Sequence, residues 1–87
     1  MYYLYILECA DKTLYTGITT DLERRLKEHN LSELGAKYTC SRRPVRIVYE
    51  KVFHNRSSAS IEEARIKALS RAKKIELIKS HHGHRLV

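Results

Sequence analysis

Four side chains near the start of this 87-residue sequence have types and spacing that could do chemistry together: Tyr5, Tyr15, Arg25 and His29. A phenol or an imidazole can pass a proton to or from water, and a guanidinium can bind a phosphate oxygen bidentately and stabilise developing charge. That combination suits cleavage of a phosphodiester. A carboxylate to hold a divalent metal would complete it, because Mg²⁺ is commonly bound by one or two carboxylates together with waters and phosphate oxygens. Glu62 and Glu63 are the candidates, and their spacing does not choose between them.

These residues can meet only if the elements carrying them are correctly arranged. Residues 2–8 and 13–18 are rich in Tyr, Leu, Ile and Thr and flank the polar CADK, which reads as a β-hairpin. With Cys9, Ala10 and Asp11 as a three-residue loop, Glu8 faces Lys12 and Tyr5 falls opposite Tyr15. Period-two alternation then gives Tyr3, Tyr5, Tyr15 and Gly17 one shared face and puts Tyr2 on the other. A slip of one residue would separate the two phenols, since parity decides the face.

TTDLERRLKEHN follows, in which Thr20 and Glu23 form a capping box and Leu22 and Leu26 lie one turn apart, predicting a helix over about 21–30. On a helical wheel His29 lies about 20° and Arg25 about 60° from Leu22, whereas Arg24 is about 200° away. Arg25 and His29 thus border the core side and return toward the hairpin face that bears Tyr5 and Tyr15.

Residues 31–44 read as an exposed loop, 45–53 as a third strand without a legible partner, and 58–69 and 71–79 as two short helices separated at Ser70. One domain over 1–80 and a frayed tail over 81–87 account for the chain. His81, His82 and His84 resemble a metal-binding tract in composition alone and receive no site.

Seventeen Lys and Arg against ten Asp and Glu leave a formal charge of +7, which points to an acidic partner, with nucleic acid the usual one. No apolar run is long enough to span a membrane and no cleavage site follows the short apolar start, so a soluble, unprocessed cytoplasmic protein is expected. Cys9 and Cys40 lack a CxxC spacing and are read as free thiols.

The residues also carry a resemblance. Tyr3-Leu4-Tyr5 and Tyr15-Thr16-Gly17 look like the two tripeptides that give the GIY-YIG nuclease superfamily its name, with the family's arginine at Arg25 and an aromatic or His position at His29. LYTGITTDLERRLKEHN, GAKYT, RRPVRIVYE and EEARIKALSRAKK resemble the small, single-domain, YhbQ-like bacterial branch over roughly residues 2–79. The resemblance implies an α+β fold, a small three-stranded antiparallel sheet flanked by helices. It also implies a metal carboxylate at Glu63, one Mg²⁺ or Mn²⁺ ion, and hydrolysis of nucleic acid, DNA before RNA. Tyr5 or Tyr15 would help activate water, Arg25 bind the phosphate and His29 assist proton transfer or positioning. Tyr3 and Thr16 stand where the motif name has Gly and Ile. Ile18 replaces the lysine of repair-type members, and the region of their downstream polar phosphate ligand offers Ile75.

Simpler structural roles exist for the same residues. Tyr5 and Tyr15 suit a cross-strand aromatic pair, His29 a helix C-terminal cap, and Glu63 an i,i+4 pair with Lys67. Arg42, Arg43 and Lys67 are expected to contact nucleic acid, and Tyr38 could stack on a base. Beside a nuclease, the chain could serve as a non-catalytic nucleic-acid-binding module, as Ile18 permits, or as a protein-interaction adaptor. Target specificity would come from the domain surface or a protein partner.

Overall fold

YYLYILE, LYTGIT and RIVYEKVF are rich in β-branched and aromatic residues that suit a pleated, half-buried surface, and they form β1 (Tyr2–Glu8), β2 (Leu14–Thr19) and β3 (Arg46–Phe53). The computed structural model describes residues 1–31, 35 and 37–82. Its sheet has the order β2-β1-β3, and both pairings are antiparallel. β1 is therefore the central strand and the partner of β3. Four helices complete the described chain: α1 (Leu22–Leu31), α2 (Lys37–Cys40), α3 (Arg56–Lys67) and α4 (Arg71–His82).

Alternation along β1 builds two cores. Leu4 and Ile6 pack with Val48, Tyr49 and Ile66 on one face, joined by Leu69, Leu77 and Ile78 from the α3–α4 side. Tyr5 and Leu7 pack with Cys9 and Val45 on the other, covered by Leu22 and Leu26 of α1. Leu4, Ile6, Leu7 and Ile66 are completely buried, and burial of such a side chain contributes roughly 1.5–3 kcal/mol. Consecutive Val48 and Tyr49 both reach the first core because the pairing jumps from Ile6↔Tyr49 to Leu7↔Ile47, leaving Val48 as a bulged residue. The α+β architecture is the expected one: a three-stranded antiparallel sheet with helices on both faces.

The hairpin register differs from the expectation. Tyr5 pairs with Gly17 and Leu7 with Tyr15, and Glu8 faces Leu14 instead of Lys12. The connection is longer because Cys9 N donates to Thr13 O at 2.9 Å, Lys12 N donates back to Cys9 O at 2.9 Å, and Thr13 N donates to Asp11 Oδ1 at 3.1 Å. Lys12 takes φ 70 in this turn. The register moves by an even step, so Tyr5, Tyr15 and Gly17 still share one face.

Helix ends differ as well. Asp21, not Thr20, caps α1: its Oδ1 accepts from Arg24 N at 3.1 Å, while Thr19 Oγ1 accepts from Asp21 N at 3.1 Å. α3 starts at Arg56, before the expected 58, because Asn55 is a strong cap whose side chain accepts from Ser58 N at 2.8 Å. Ser70 Oγ accepts from Lys73 N at 3.2 Å, which sets the break before α4. α4 then runs to His82, past the expected 79. The ring of His81, expected in a frayed tail, lies 4.9 Å from that of Tyr49. Residues 83–87 of that expected tail, including His84, lie outside the described residues.

The stretch expected to be an exposed loop is tied down on both sides. Asn30 Nδ2 donates to Val45 O at 3.0 Å and its Oδ1 accepts from Val45 N at 2.7 Å, so one side chain closes both backbone groups at the entry to β3. Ala10 N donates to Arg42 O at 2.9 Å. α2 buries Thr39 completely. Residues 32–34 and 36 of the expected loop lie outside the described residues.

Candidate active site

The register puts a glycine opposite Tyr5, and this is what allows the phenol its position. A Cβ on Gly17 would lie 2.6 Å from the Tyr5 hydroxyl oxygen and 2.8 Å from Cζ. No glycine among the described residues has positive φ, so Gly17 is required by space, not by backbone conformation. Over it, the Tyr5 hydroxyl reaches His29 Nε2 at 3.0 Å, and His29 Nδ1 lies 2.8 Å from Thr39 Oγ1. His29 is the buried residue of α1, completely inside, where the wheel had put it at the border.

Arg25, one turn earlier on α1, lines the same small cavity as Tyr5 and binds Glu28, Nη1 to Oε1 at 2.8 Å. Arginine can only donate, so Arg25 presents positive charge to the Tyr5 phenol and takes no proton from it. The buried phenol proton then goes to the neutral acceptor Nε2, and Nδ1–H donates to Thr39; this tautomer is assigned from the network. Burial pushes the Tyr5 phenol up to about 12, opposed by Arg25 and reinforced by Tyr15 and Glu63. Burial also pushes His29 down to about 4, helped by Arg25 and Arg43 and opposed by Glu28. His29 is therefore neutral at neutral pH, as accepting the phenol proton requires.

Tyr15 sits against this pair. Its ring centroid is 6.5 Å from that of Tyr5 and 5.2 Å from His29, the latter edge-on at 61°. Tyr38 of α2 stacks on Tyr15 at 5.9 Å and 27°. The Arg42 guanidinium lies over Tyr38, 4.2 Å from its centroid. Tyr5 is almost fully buried, whereas Tyr15 is half-buried.

The two candidate glutamates separate. Glu62 binds Arg65 through both oxygens, at 2.9 and 2.6 Å, and this bond holds its carboxyl below the usual range. Its charge acts on Tyr49, on the opposite side of the sheet from Tyr5. Glu63 is the one whose charge is felt at Tyr5, and it pairs with Lys67 at 3.3 Å. Among the described residues no three His, Cys, Asp or Glu side chains come together as a ligand set. The donors at this place therefore fit an ion held by one carboxylate, with waters and phosphate oxygens supplying the rest, as hard Mg²⁺ or Mn²⁺ accepts.

Arg42 and Arg43 are engaged within the protein. Arg42 pairs with Asp11 at 3.0 Å and donates to Tyr38 O at 2.8 Å; Arg43 Nε donates to His29 O at 2.6 Å. Both brace the segment that carries Thr39 and Tyr38. Lys67 stands on α3 beside Glu63. Ile18 lines a groove at the β2 edge with Arg24, Arg25 and Arg56, while Ile75 lines a different groove with Glu8, Arg46 and Arg71. Thr39 and the spatial role of Gly17 were not legible beforehand. A lone threonine in a polar stretch carries no periodic signal, and the demand on Gly17 exists only once the register is known.

The family model described as the GIY-YIG catalytic domain matches residues 1–76, and the chain belongs to the GIY-YIG family, a family of nucleases. Its relatives are small UPF0213 proteins. That of Syntrophus aciditrophicus is 54% identical over 79 residues, covering 91% of each chain. That of Natronomonas pharaonis is 51% identical over 82 residues, covering 94% of this chain and 95% of its own. The solution structure of a UPF0213 protein from Bacillus halodurans, 46% identical, matches with a TM-score of 0.62 over 97% of this chain and 89% of its own. A protein from E. faecalis, 42% identical, matches with a TM-score of 0.65 over 99% and 91%. Among the described residues no helix is long and apolar enough to cross a membrane.

Proposed function

We propose that this protein is a metal-dependent endonuclease that hydrolyses phosphodiester bonds in nucleic acid, DNA before RNA, in a cytoplasmic setting. The observation that carries this reading is the convergence on one face of the sheet: the Tyr5 hydroxyl meets His29 Nε2 at 3.0 Å, Tyr15 packs against both rings, and Arg25 lines the same cavity as Tyr5.

Each side chain then has a role. Arg25, with a quarter of its side chain exposed, binds a non-bridging phosphate oxygen and stabilises the charge that develops on attack. Tyr5 is held by His29, and its raised pKa keeps it protonated, so no phenolate is available to act as base; it orients Arg25. Tyr15 is the more open phenol, orienting the attacking water and relaying the released proton to solvent. Glu63 would hold Mg²⁺ or Mn²⁺, and a bound ion supplies charge stabilisation at the phosphate and the leaving oxygen. Its pairing with exposed Lys67 is a surface i,i+4 contact of about 0.3–0.5 kcal/mol, readily exchanged. Lys67, Arg42 and Arg43 add positive potential around the site, and a protein partner or the domain surface selects the target.

Ile18 in the groove beside Arg25 favours a second reading, a nucleic-acid-binding module without efficient catalysis. One experiment separates the two: purified protein is incubated with single-stranded, duplex and branched DNA and with RNA, in Mg²⁺ or Mn²⁺, beside Arg25→Ala and Glu63→Ala. Metal-dependent cleavage that falls by about 100-fold or more in both variants supports the nuclease. Binding without cleavage supports the module, and cleavage indifferent to both substitutions contradicts the site.

A further inference from the structure

Beyond Arg25, the groove at the β2 edge contains charges with no part in the chemistry above. Its walls come from both layers: Arg24, Arg25 and Glu28 from α1 on one face of the sheet, Ile18 and Thr20 from the β2 end, and Arg56 from the start of α3 on the other face. Three guanidiniums face one carboxylate. Glu28 is shared by Arg24, at 3.5 Å, and Arg25, at 2.8 Å. Arg56 is exposed and makes no ion pair among the described residues.

The position of Arg56 is also electrostatically unfavourable in the protein alone. It is the first residue of α3, where the helix dipole already presents positive charge, and no acidic residue occupies that turn. Two sources of positive potential therefore converge on the groove, whose one carboxylate, Glu28, is already shared by Arg24 and Arg25. An anion seated between Arg24 and Arg56 would relieve both, and a guanidinium pair from two elements matches phosphate oxygens well.

We infer that Arg56, with Arg24, binds a second phosphate of the nucleic-acid strand, next to the one held by Arg25, so that the strand runs along the β2 edge from α1 to the start of α3. This rests on the nucleic-acid reading above and assigns to the substrate more than one phosphate. Ile18 is consistent with it, since an apolar side chain among the lining residues offers a contact for sugar or base.

The test is binding without cleavage: fluorescence anisotropy of a labelled single-stranded oligonucleotide in EDTA, over a range of salt concentrations. The variants are Arg56→Gln, Arg56→Lys and, as a charge control on β3, Lys51→Gln. Arg56→Gln is expected to weaken binding by about three- to tenfold and to reduce the slope of log K against log salt by about 0.7, the share of one phosphate contact on a single strand. Arg56→Lys should fall between, and Lys51→Gln should stay near wild type. If wild type binds with salt dependence and Arg56→Gln matches it in affinity and slope, the second phosphate site is overturned while the nuclease reading stands. If Lys51→Gln loses as much as Arg56→Gln, the groove is likewise not the site. If wild type shows no salt-dependent binding, the nucleic-acid reading itself fails and this inference falls with it.

Discussion

Gly17 and His29 are two residues whose roles are set by the same phenol. Gly17→Ala would place a methyl group where the Tyr5 hydroxyl stands, and the ring, packed between Leu7 and α1, has nowhere cheap to go. Overpacking of this kind costs about 1–3 kcal/mol. The expected result is that loss in denaturant titrations together with a fall in cleavage, because the Tyr5–His29 bond must lengthen. His29 gives a pH signature. Its folded-state pKa, about 4, lies below its ordinary 6.5, so between those values the unfolded chain binds a proton that the folded chain refuses. Its contribution is complete above pH 6.5 and is lost as pH falls toward 4. Between pH 7 and pH 5 stability should drop by on the order of 2 kcal/mol, and His29→Gln should flatten that slope. Asp11 and Glu62 have lowered carboxyl pKa values, so their own losses begin at lower pH.

At the scale of elements, the helix α1 does two jobs: its inner edge carries Arg25 and His29, and its last turn holds the entry to β3 through Asn30. Asn30→Ala removes both hydrogen bonds to Val45 and leaves the backbone N–H and C=O of this buried residue without those partners. A loss of about 1–3 kcal/mol in urea denaturation is expected, with Asn30→Asp retaining part of it through the acceptor oxygen. The strands, α1 and the Ser70 break were legible because propensity and periodicity are local, whereas the cap of α1 falls on Asp21, one residue past the Thr20 of the capping-box pattern. The hairpin register was legible in parity and not in pairing: the face follows from alternation, but loop length depends on how Asp11, Lys12 and Thr13 fold the turn. α2 and the Asn30 clamp were not legible, since their partners, His29 and Val45, come from other elements. Glu63 could be chosen over Glu62 from resemblance alone; the distinction in charge appears only when α3 is packed against the sheet.

The whole molecule places its catalytic candidates where its two layers meet. β1 is central, α1 covers one face, α3 and α4 cover the other, and the β2 edge is the place where residues from both layers face one groove. A formal charge of +7 surrounds that arrangement and attracts a polyanion from any direction. Its sign was evident from composition, but composition could not separate Arg42 and Arg43, which brace the fold, from Arg24 and Arg56, which line the groove. This groove and the Tyr5 network beside it together make up the proposed nuclease centre. It is tested most directly by single-turnover cleavage of a labelled DNA strand, started by adding Mn²⁺ or Mg²⁺, with wild type, Arg25→Ala and Glu63→Ala prepared in parallel. Wild type should cleave only with the metal present, and both variants, each still folded, should be slower by about 100-fold or more. Equal rates in all three, or no cleavage by wild type with either metal, would contradict it.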